Sequence, residues 1–321
     1  MIIETKNLTK RYGQITAVDN LSLKIKEGEV FGLLGPNGAG KTTTLSMLAT
    51  LVRPTSGTGY VNGYEITKQS DLVRKSIGMV FQDPSSDDIL TGRENLYLHA
   101  LMYGVKREKI KERINEVLEL VDLKDRQNDL VKKYSGGMRR RLELARGLLH
   151  EPKILFLDEP TLGLDPQTRE HIWNYIEKLS KEQRVTIIIT THYMEEADRL
   201  CNKVAIIDSG KIVVLNTPEK LKKIIGGDIL TLKIKNPNLE AVKKLRYVKK
   251  VEKKNGSVVL TVMNAGAHTQ NILETIGKVE SIELRSATLN DVFLHYTGKE
   301  IRDNEAEGGF FERVTHYRSG R

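Results

Sequence analysis

The stretch Gly35-Pro36-Asn37-Gly38-Ala39-Gly40-Lys41-Thr42 limits what this chain can fold into more than any other. It follows the pattern of a glycine, four free positions and then Gly-Lys-Ser/Thr, which belongs between a strand and a helix. Glycines permit a tight concave loop whose backbone N–H groups turn inward on an anion. Lys41 brings a compact positive charge to the β- and γ-phosphates of a nucleotide, and the Thr42 hydroxyl is a hard oxygen ligand for Mg²⁺. A glycine-rich turn could meet the pattern by chance, but both flanks agree with the phosphate reading. Glu29 to Leu34 reads as a buried strand leading in, and Thr43 to Leu51 as a helix leading out, with its positive end toward the phosphates.

With 321 residues the chain can build two cores. At 39% hydrophobic and 29% charged it has the make-up of a folded soluble protein, not a disordered one. No run approaches the roughly 18 apolar residues of a membrane span, and the first residues lack the apolar core of a secretory signal. The one cysteine, Cys201, excludes an internal disulfide framework, fits a reducing compartment and reads as a small packing residue at a helix end. These features predict a cytoplasmic protein whose membrane connection comes through a partner. The net charge of +9 is local in origin: twelve Lys or Arg face four Asp or Glu between Glu219 and Lys254. Only Tyr247 is interleaved with them, so the patch reads as a solvated basic face before a docking surface, and no nucleic-acid partner is expected.

Along the chain, Ile2 to Leu8 and Leu21 to Ile25 alternate as half-buried strands, with Tyr12 in their connection, where an aromatic ring could stack on a purine. Asn62-Gly63 is a hairpin signal. Ser76 to Phe81 reads as an apolar strand ending at Gln82. Arg93 to Val121 is helical in pattern, with a packing stripe of Ile110, Ile114, Val117 and Val121. Ser135 stands as N-cap before Gly136 and Gly137, opening a second helix whose N-terminus is an anion site that needs no lysine. Ile154 to Leu157 form a strand buried on both faces, and Asp158 and Glu159 lie at its C-terminal end, the edge where open α/β sheets bind ligands. Adjacent buried carboxylates call for a cation, and the directly following Pro160 speaks against a simple helix cap. Thr161 to Pro166 is a loop containing Asp165. Val185 to Ile189 is a strand that leads through Thr190 and Thr191 to His192 at the same edge.

Tyr12, the phosphate loop, Gln82, Ser135-Gly136-Gly137, Asp158-Glu159 and His192, in this order and spacing, resemble the ATP-binding subunits of ABC transporters over roughly residues 2 to 220. One departure stands out. The family's common signature is Leu-Ser-Gly-Gly-Gln, whereas this chain has Tyr134-Ser135-Gly136-Gly137-Met138, and methionine cannot donate a hydrogen bond as glutamine does. Past Gly226-Gly227 the pattern is β-α-β-β-α-β, with Asn255-Gly256 as a turn, which suggests a ferredoxin-like sandwich. The closing stretch Ala287 to Leu294 with Tyr296-Thr297-Gly298 resembles daunorubicin-type drug-resistance exporter ATPases. The fold expected is therefore a P-loop α/β ATPase domain over residues 1–225, with an antiparallel β subdomain and a helical subdomain. A small α+β domain over 226–298 and a flexible tail over 299–321 complete it.

The resemblance implies ATP as substrate and Mg²⁺ as cofactor. It implies adenine stacking by Tyr12, ATP binding by Gly35, Pro36, Asn37, Gly38, Ala39, Gly40, Lys41, Thr42 and Thr43, and wrapping of the phosphates by the backbone N–H groups from Gly38 to Thr43. Thr42, Gln82 and Asp158 hold the metal, Glu159 is the general base, His192 braces the γ-phosphate, and Asp165 belongs to the D-loop. Ser135, Gly136 and Gly137 act in trans on the ATP of a second subunit, either another copy of this chain or a second nucleotide-binding chain. The same resemblance implies a separate transmembrane permease and a peripheral place on the inner face of the cell membrane. A soluble ATPase acting on ribosomes or nucleic acid is the alternative; one phosphate loop and no long heptad array count against it.

Overall fold

The computed structural model describes residues 1–254 and 256–298; Asn255 of the expected turn and the expected tail over 299–321 lie outside the described residues. Compact packing divides the chain at Leu215/Asn216. The first unit runs β1 (Ile3–Tyr12), β2 (Ile15–Ile25), β3 (Val30–Leu34), α1 (Lys41–Leu48), β4 (Ser56–Val61), β5 (Tyr64–Glu65), α2 (Ser70–Ser76) and β6 (Ile77–Val80). It continues with α3 (Gly92–Met102), α4 (Arg107–Leu120), α5 (Gly136–Leu148), β7 (Ile154–Asp158), α6 (Pro166–Gln183), β8 (Thr186–Thr191), α7 (Met194–Leu200), β9 (Lys203–Asp208) and β10 (Lys211–Asn216). Two sheets result. One is antiparallel in the order β2-β1-β4-β5; the other, in the order β10-β9-β3-β8-β7-β6, pairs β9, β3, β8, β7 and β6 in parallel.

The central strands of the parallel sheet explain its burial. β3, β7 and β8 are buried at every position, as strands covered on both faces must be. α1 is sequestered between the sheets: Leu45, Met47 and Leu48 join Ile3, Leu8 and Leu21 of the antiparallel sheet to Phe31, Phe156 and Ile188 of the parallel one in a single core. That sandwich fixes the phosphate loop, which lies between the end of β3 and the start of α1. Gly40 caps α1 in the left-handed region at φ 101°, and a Cβ there would stand 2.3 Å from the Ala17 carbonyl oxygen.

The helices α3, α4 and α5 pack on one another as the expected helical subdomain. The single helix expected from Arg93 to Val121 is two, α3 and α4. The chain breaks at Tyr103-Gly104, where Gly104 takes φ 68°, a conformation that ends a helix rather than continuing it. Ser76 belongs to α2 and not to the following strand, which is Ile77–Val80. The hairpin at Asn62 (φ 50°) and Gly63 (φ 81°) joins β4 to β5 with both central residues left-handed.

The second unit contains α8 (Pro218–Ile224), β11 (Asp228–Lys233), α9 (Leu239–Lys243), β12 (Val248–Lys254), β13 (Ser257–Val262), α10 (Ala265–Ile276), β14 (Ser281–Arg285) and α11 (Leu289–Thr297). Its sheet order β12-β13-β11-β14 with antiparallel pairs is that of a ferredoxin-like sandwich. Leu230, Leu232, Val258, Leu260 and Val262 of the sheet pack on Val242 of α9 and Ile272 and Ile276 of α10. α8 lies within the 1–225 expected for the first domain, but it packs against α11 and so falls in this unit.

Candidate functional site

The C-terminal ends of β3, β7 and β8 bring five of the sequence-selected side chains together. Lys41 Nζ donates to the carbonyls of Gly35 at 2.8 Å and Pro36 at 3.3 Å, and pairs with Glu159 Oε1 at 3.2 Å. On the other carboxylate oxygen of Glu159, Oε2, sits His192 Nδ1 at 2.8 Å. Thr42 Oγ1 donates to Asp158 Oδ1 at 3.1 Å, and the Thr190 hydroxyl donates to the same oxygen. Lys41 and Glu159 are 5% and 6% exposed, so this is a buried ion pair.

The two adjacent carboxylates are pushed in opposite directions. Burial raises Asp158 above the ordinary range, only partly opposed by the hydroxyls of Thr190 and Thr42. Burial also acts upward on Glu159, but its hydrogen bond with His192 and the charge of Lys41 outweigh that and hold it below the ordinary value. Glu159 is thus ionised at neutral pH, and His192 Nδ1 is the donor of their bond. The pair is thus tuned apart, Asp158 toward its protonated form and Glu159 toward its ionised form. The Glu159 backbone is itself unusual, with φ 50°, a conformation that costs a non-glycine residue about 1–2 kcal/mol. Its N–H is fixed by the Thr190 hydroxyl and carbonyl, both at 3.1 Å.

Other selected residues stand around this group. Tyr12 ends β1; burial raises its hydroxyl, a hydrogen bond with Thr43 at the start of α1 acts the other way, and Lys10 Nζ lies 4.9 Å from the ring centroid. Ser135 caps α5, its Oγ accepting from the Met138 N–H at 3.2 Å, so the side-chain departure at position 138 leaves the cap intact. Gly137 abuts the first turn of α6: a Cβ there would stand 2.6 Å from Thr168 Cγ2. Asp165 N-caps that helix through the Thr168 N–H at 2.9 Å and hydroxyl at 2.6 Å, and these bonds hold its carboxyl below the ordinary range. No hydrogen bond among the described residues joins Ser135, Gly136 or Gly137 to the phosphate loop, and Gln82 is held through its backbone carbonyl rather than its side chain.

Two buried residues were not singled out from sequence. Arg140 of α5 donates to the carbonyls of Pro160 at 2.7 Å, Asp158 at 2.9 Å, Gln82 at 3.4 Å and Phe81. Burial pulls it down against the pull of Glu143 and Asp158, and a guanidinium nonetheless stays charged. Glu196 of α7 accepts from the Thr161 hydroxyl at 2.8 Å and Trp173 Nε1 at 2.9 Å, and burial raises it.

A phosphate loop wedged between β3 and α1, with a carboxylate pair at the end of β7, separated from β3 in the sheet by β8, defines a P-loop nucleotide hydrolase. The ABC transporter family matches residues 18–162, and the C-terminal domain of DrrA1-3-like ATP-binding proteins matches residues 217–297. A linearmycin resistance ATP-binding protein of Bacillus subtilis (strain 168) is 37% identical over 313 residues, 94% of this chain and 100% of that protein. The daunorubicin/doxorubicin resistance ATP-binding protein of Streptomyces peucetius is 37% identical, with 95% of each chain covered. A bacterial ABC transporter cassette solved as a dimer superposes with a TM-score of 0.62 at 31% identity, covering 67% of this chain and 98% of that one. The same cassette is known as a dimer in a post-hydrolysis state bound to ADP and Pi, with a TM-score of 0.61 at 30% identity. The chain belongs to the ATP-binding proteins of ABC transporters, and its activity is ATP hydrolysis.

Proposed function

We propose that this chain energises an exporter by closing head to tail on a second nucleotide-binding subunit around ATP and reopening after hydrolysis. The observation that carries this reading is the buried constellation Lys41, Thr42, Asp158, Glu159 and His192 at one sheet edge. Adenine stacks on Tyr12, and backbone N–H groups from Gly38 to Thr43 wrap the phosphates. For Lys41 to serve the γ-phosphate it exchanges Glu159 for phosphate oxygens, which frees Glu159 to accept a proton from the attacking water. The water oxygen bonds to the γ-phosphorus, the bond to the β,γ-bridging oxygen breaks, and ADP leaves with the electron pair. His192 meets Glu159 through Nδ1, and its Nε2 faces the γ-phosphate as a donor only when both ring nitrogens carry a proton.

The donor set suits Mg²⁺. Among the described residues the buried Asp158 carboxyl is bonded by two hydroxyls, of Thr42 and Thr190, and by no cationic side chain, a hard-oxygen arrangement that phosphates would complete. Thr42, Asp158 and the Gln82 side chain hold the ion, which when bound offsets charge on the β- and γ-phosphates. Ser135 uses a lone pair for its cap, leaving its O–H to donate to the ATP of the second subunit, with the N–H groups of Gly136 and Gly137 beside it. Asp165 and Thr168 brace that end.

The membrane partner is a separate permease. No helix among the described residues is long and apolar enough to cross a membrane, and the segment after Gln82 exposes Ile89, Tyr97, Leu98, Leu101 and Met102. Such a patch suits a docked protein, and through it the chain would sit on the inner membrane face. Export is favoured by the relatives named for drug resistance and by a 39% identical Nod factor export ATP-binding protein of Cupriavidus metallidurans. Affinity purification of the tagged chain from detergent-solubilised native membranes tests the assignment. A stoichiometric multi-span membrane protein is expected; ribosomal or DNA-associated proteins in its place would overturn it.

A further inference from the structure

We infer that Arg140 is a positioning residue that carries engagement of the signature segment into the site of its own chain. The inference rests on the head-to-tail reading above. α5 begins with Gly136 and Gly137, and Arg140 lies on its next turn, 6% exposed. All four hydrogen bonds of its guanidinium go to backbone carbonyls, and these come from two separate segments. Phe81 and Gln82 follow β6; Asp158 and Pro160 flank Glu159 at the end of β7.

A planar fork with five donors can hold several carbonyls of two segments in fixed directions at once. The guanidinium therefore fixes the spacing between the Gln82 backbone and the Asp158-Glu159-Pro160 corner, and ties both to the helix whose N-terminus meets the second subunit's ATP. The rest of α5 follows the same segment. Glu143, one turn on, accepts from the N–H groups of Ser85 at 3.2 Å and Ser86 at 2.9 Å. Gly147 meets β6 so closely that a Cβ on Gly78 would stand 2.1 Å from its carbonyl. A shift of α5 on closure thus moves the residues after β6 and the corner at Glu159 together. Lysine keeps the charge but not the fork, and glutamine keeps neither the charge nor the reach.

The test uses the full chain. In a Glu159→Gln background, Arg140→Lys and Arg140→Gln are expected to bind a fluorescent ATP analogue within about twofold of the parent, yet to need about tenfold more ATP to dimerise. In the otherwise unaltered chain kcat is expected to fall about tenfold with ATP affinity of the monomer held. Amide hydrogen exchange over residues 82–86 is expected to rise. Unchanged dimerisation and kcat would overturn the inference. So would parallel loss of ATP affinity and melting temperature in both variants, which would make Arg140 a packing residue only. If the Glu159→Gln parent stays monomeric at saturating ATP, the head-to-tail reading fails, and the role of Arg140 in closure fails with it.

Discussion

Replacing Glu159 with glutamine separates binding from chemistry, and the structure sets the size of both effects. Glu159 is ionised and within 3.2 Å of Lys41. At that distance the gross attraction is about 5 kcal/mol for an effective dielectric of about 20, most of it offset by the cost of removing both charges from water. ATP must displace this contact from Lys41. In Glu159→Gln the competitor is gone, and if only about 1.4 kcal/mol of it opposes binding, ATP affinity rises about tenfold. The amide keeps the size and one acceptor oxygen but cannot take a proton from water. Loss of a general base lowers turnover by about 10²–10⁴-fold. Nucleotide affinity is read by fluorescence titration, turnover by phosphate release, and assembly by size-exclusion chromatography with ATP and Mg²⁺. The expected result is tight binding, little phosphate and an accumulating dimer. Turnover within about threefold of the parent would refute the assignment of the base, because no other carboxylate is bonded to both Lys41 and His192 among the described residues.

Lys41→Ala is expected to weaken ATP binding by about 10²-fold, the scale of removing one partner of a buried charge contact, and to lower the melting temperature because Glu159 keeps its burial and loses its cation; unchanged ATP affinity would contradict the phosphate-loop role. Asp158→Asn should separate stability from function. The folded carboxyl titrates above its ordinary 3.8, so its favourable contribution is complete below that value and is lost as pH rises through the folded value. As pH rises past 3.8 the carboxyl therefore works against the fold, whereas an asparagine carries no such penalty and its oxygen can still accept from Thr42 and Thr190. Melting temperature is expected to rise by about 2–4 °C for each kcal/mol regained while ATPase activity is lost; a lower melting temperature at pH 7 would reverse the argument. In the second unit, Arg285 grips Asp291 at 2.6 and 2.8 Å, and Thr288 completes a capping box with it. Burial acts upward on Asp291, but Arg285 and Thr288 hold it below 3.8, so this stabilisation is present above 3.8 and fades as pH falls through the folded value. Asp291→Ala is expected to cost about 1 kcal/mol at pH 7, seen in urea melts, and less at pH 3; an equal cost at both would remove the carboxylate as its source.

The phosphate loop was legible because its chemistry is local: eight consecutive residues, a strand before and a helix after. Asp158, Glu159 and His192 were legible because each closes an apolar strand, and parallel strands buried on both faces deliver their C-terminal ends to one edge. The second unit was legible from its alternation of strand and helix patterns. What failed was punctuation. Arg93 to Val121 reads as one helix because the apolar spacing survives across Tyr103-Gly104, and a glycine within a helical pattern is read as tolerated unless its φ is known. α2 (Ser70–Ser76) is too short, and too polar, for periodicity to mark it.

Arg140 shows the harder limit. Sequence offers Arg139-Arg140-Arg141, and a run of like charges on a helix reads as solvated. Successive residues of a helix point about 100° apart, so the three part company. Arg139 reaches Asp88 at the surface, Arg141 caps α4 through the carbonyls of Val121 and Asp122 at 3.2 Å, and Arg140 turns inward. The signal that distinguishes it lies further along the same face: positions 140, 143 and 147 form one stripe at spacings of three and four, and it ends in Gly147, a residue small enough to let β6 approach. A charged residue on the stripe that a glycine marks as closely packed has no water to face. It must therefore find its partners in the backbone it packs against, and here that backbone is the segment after β6 and the corner at the end of β7.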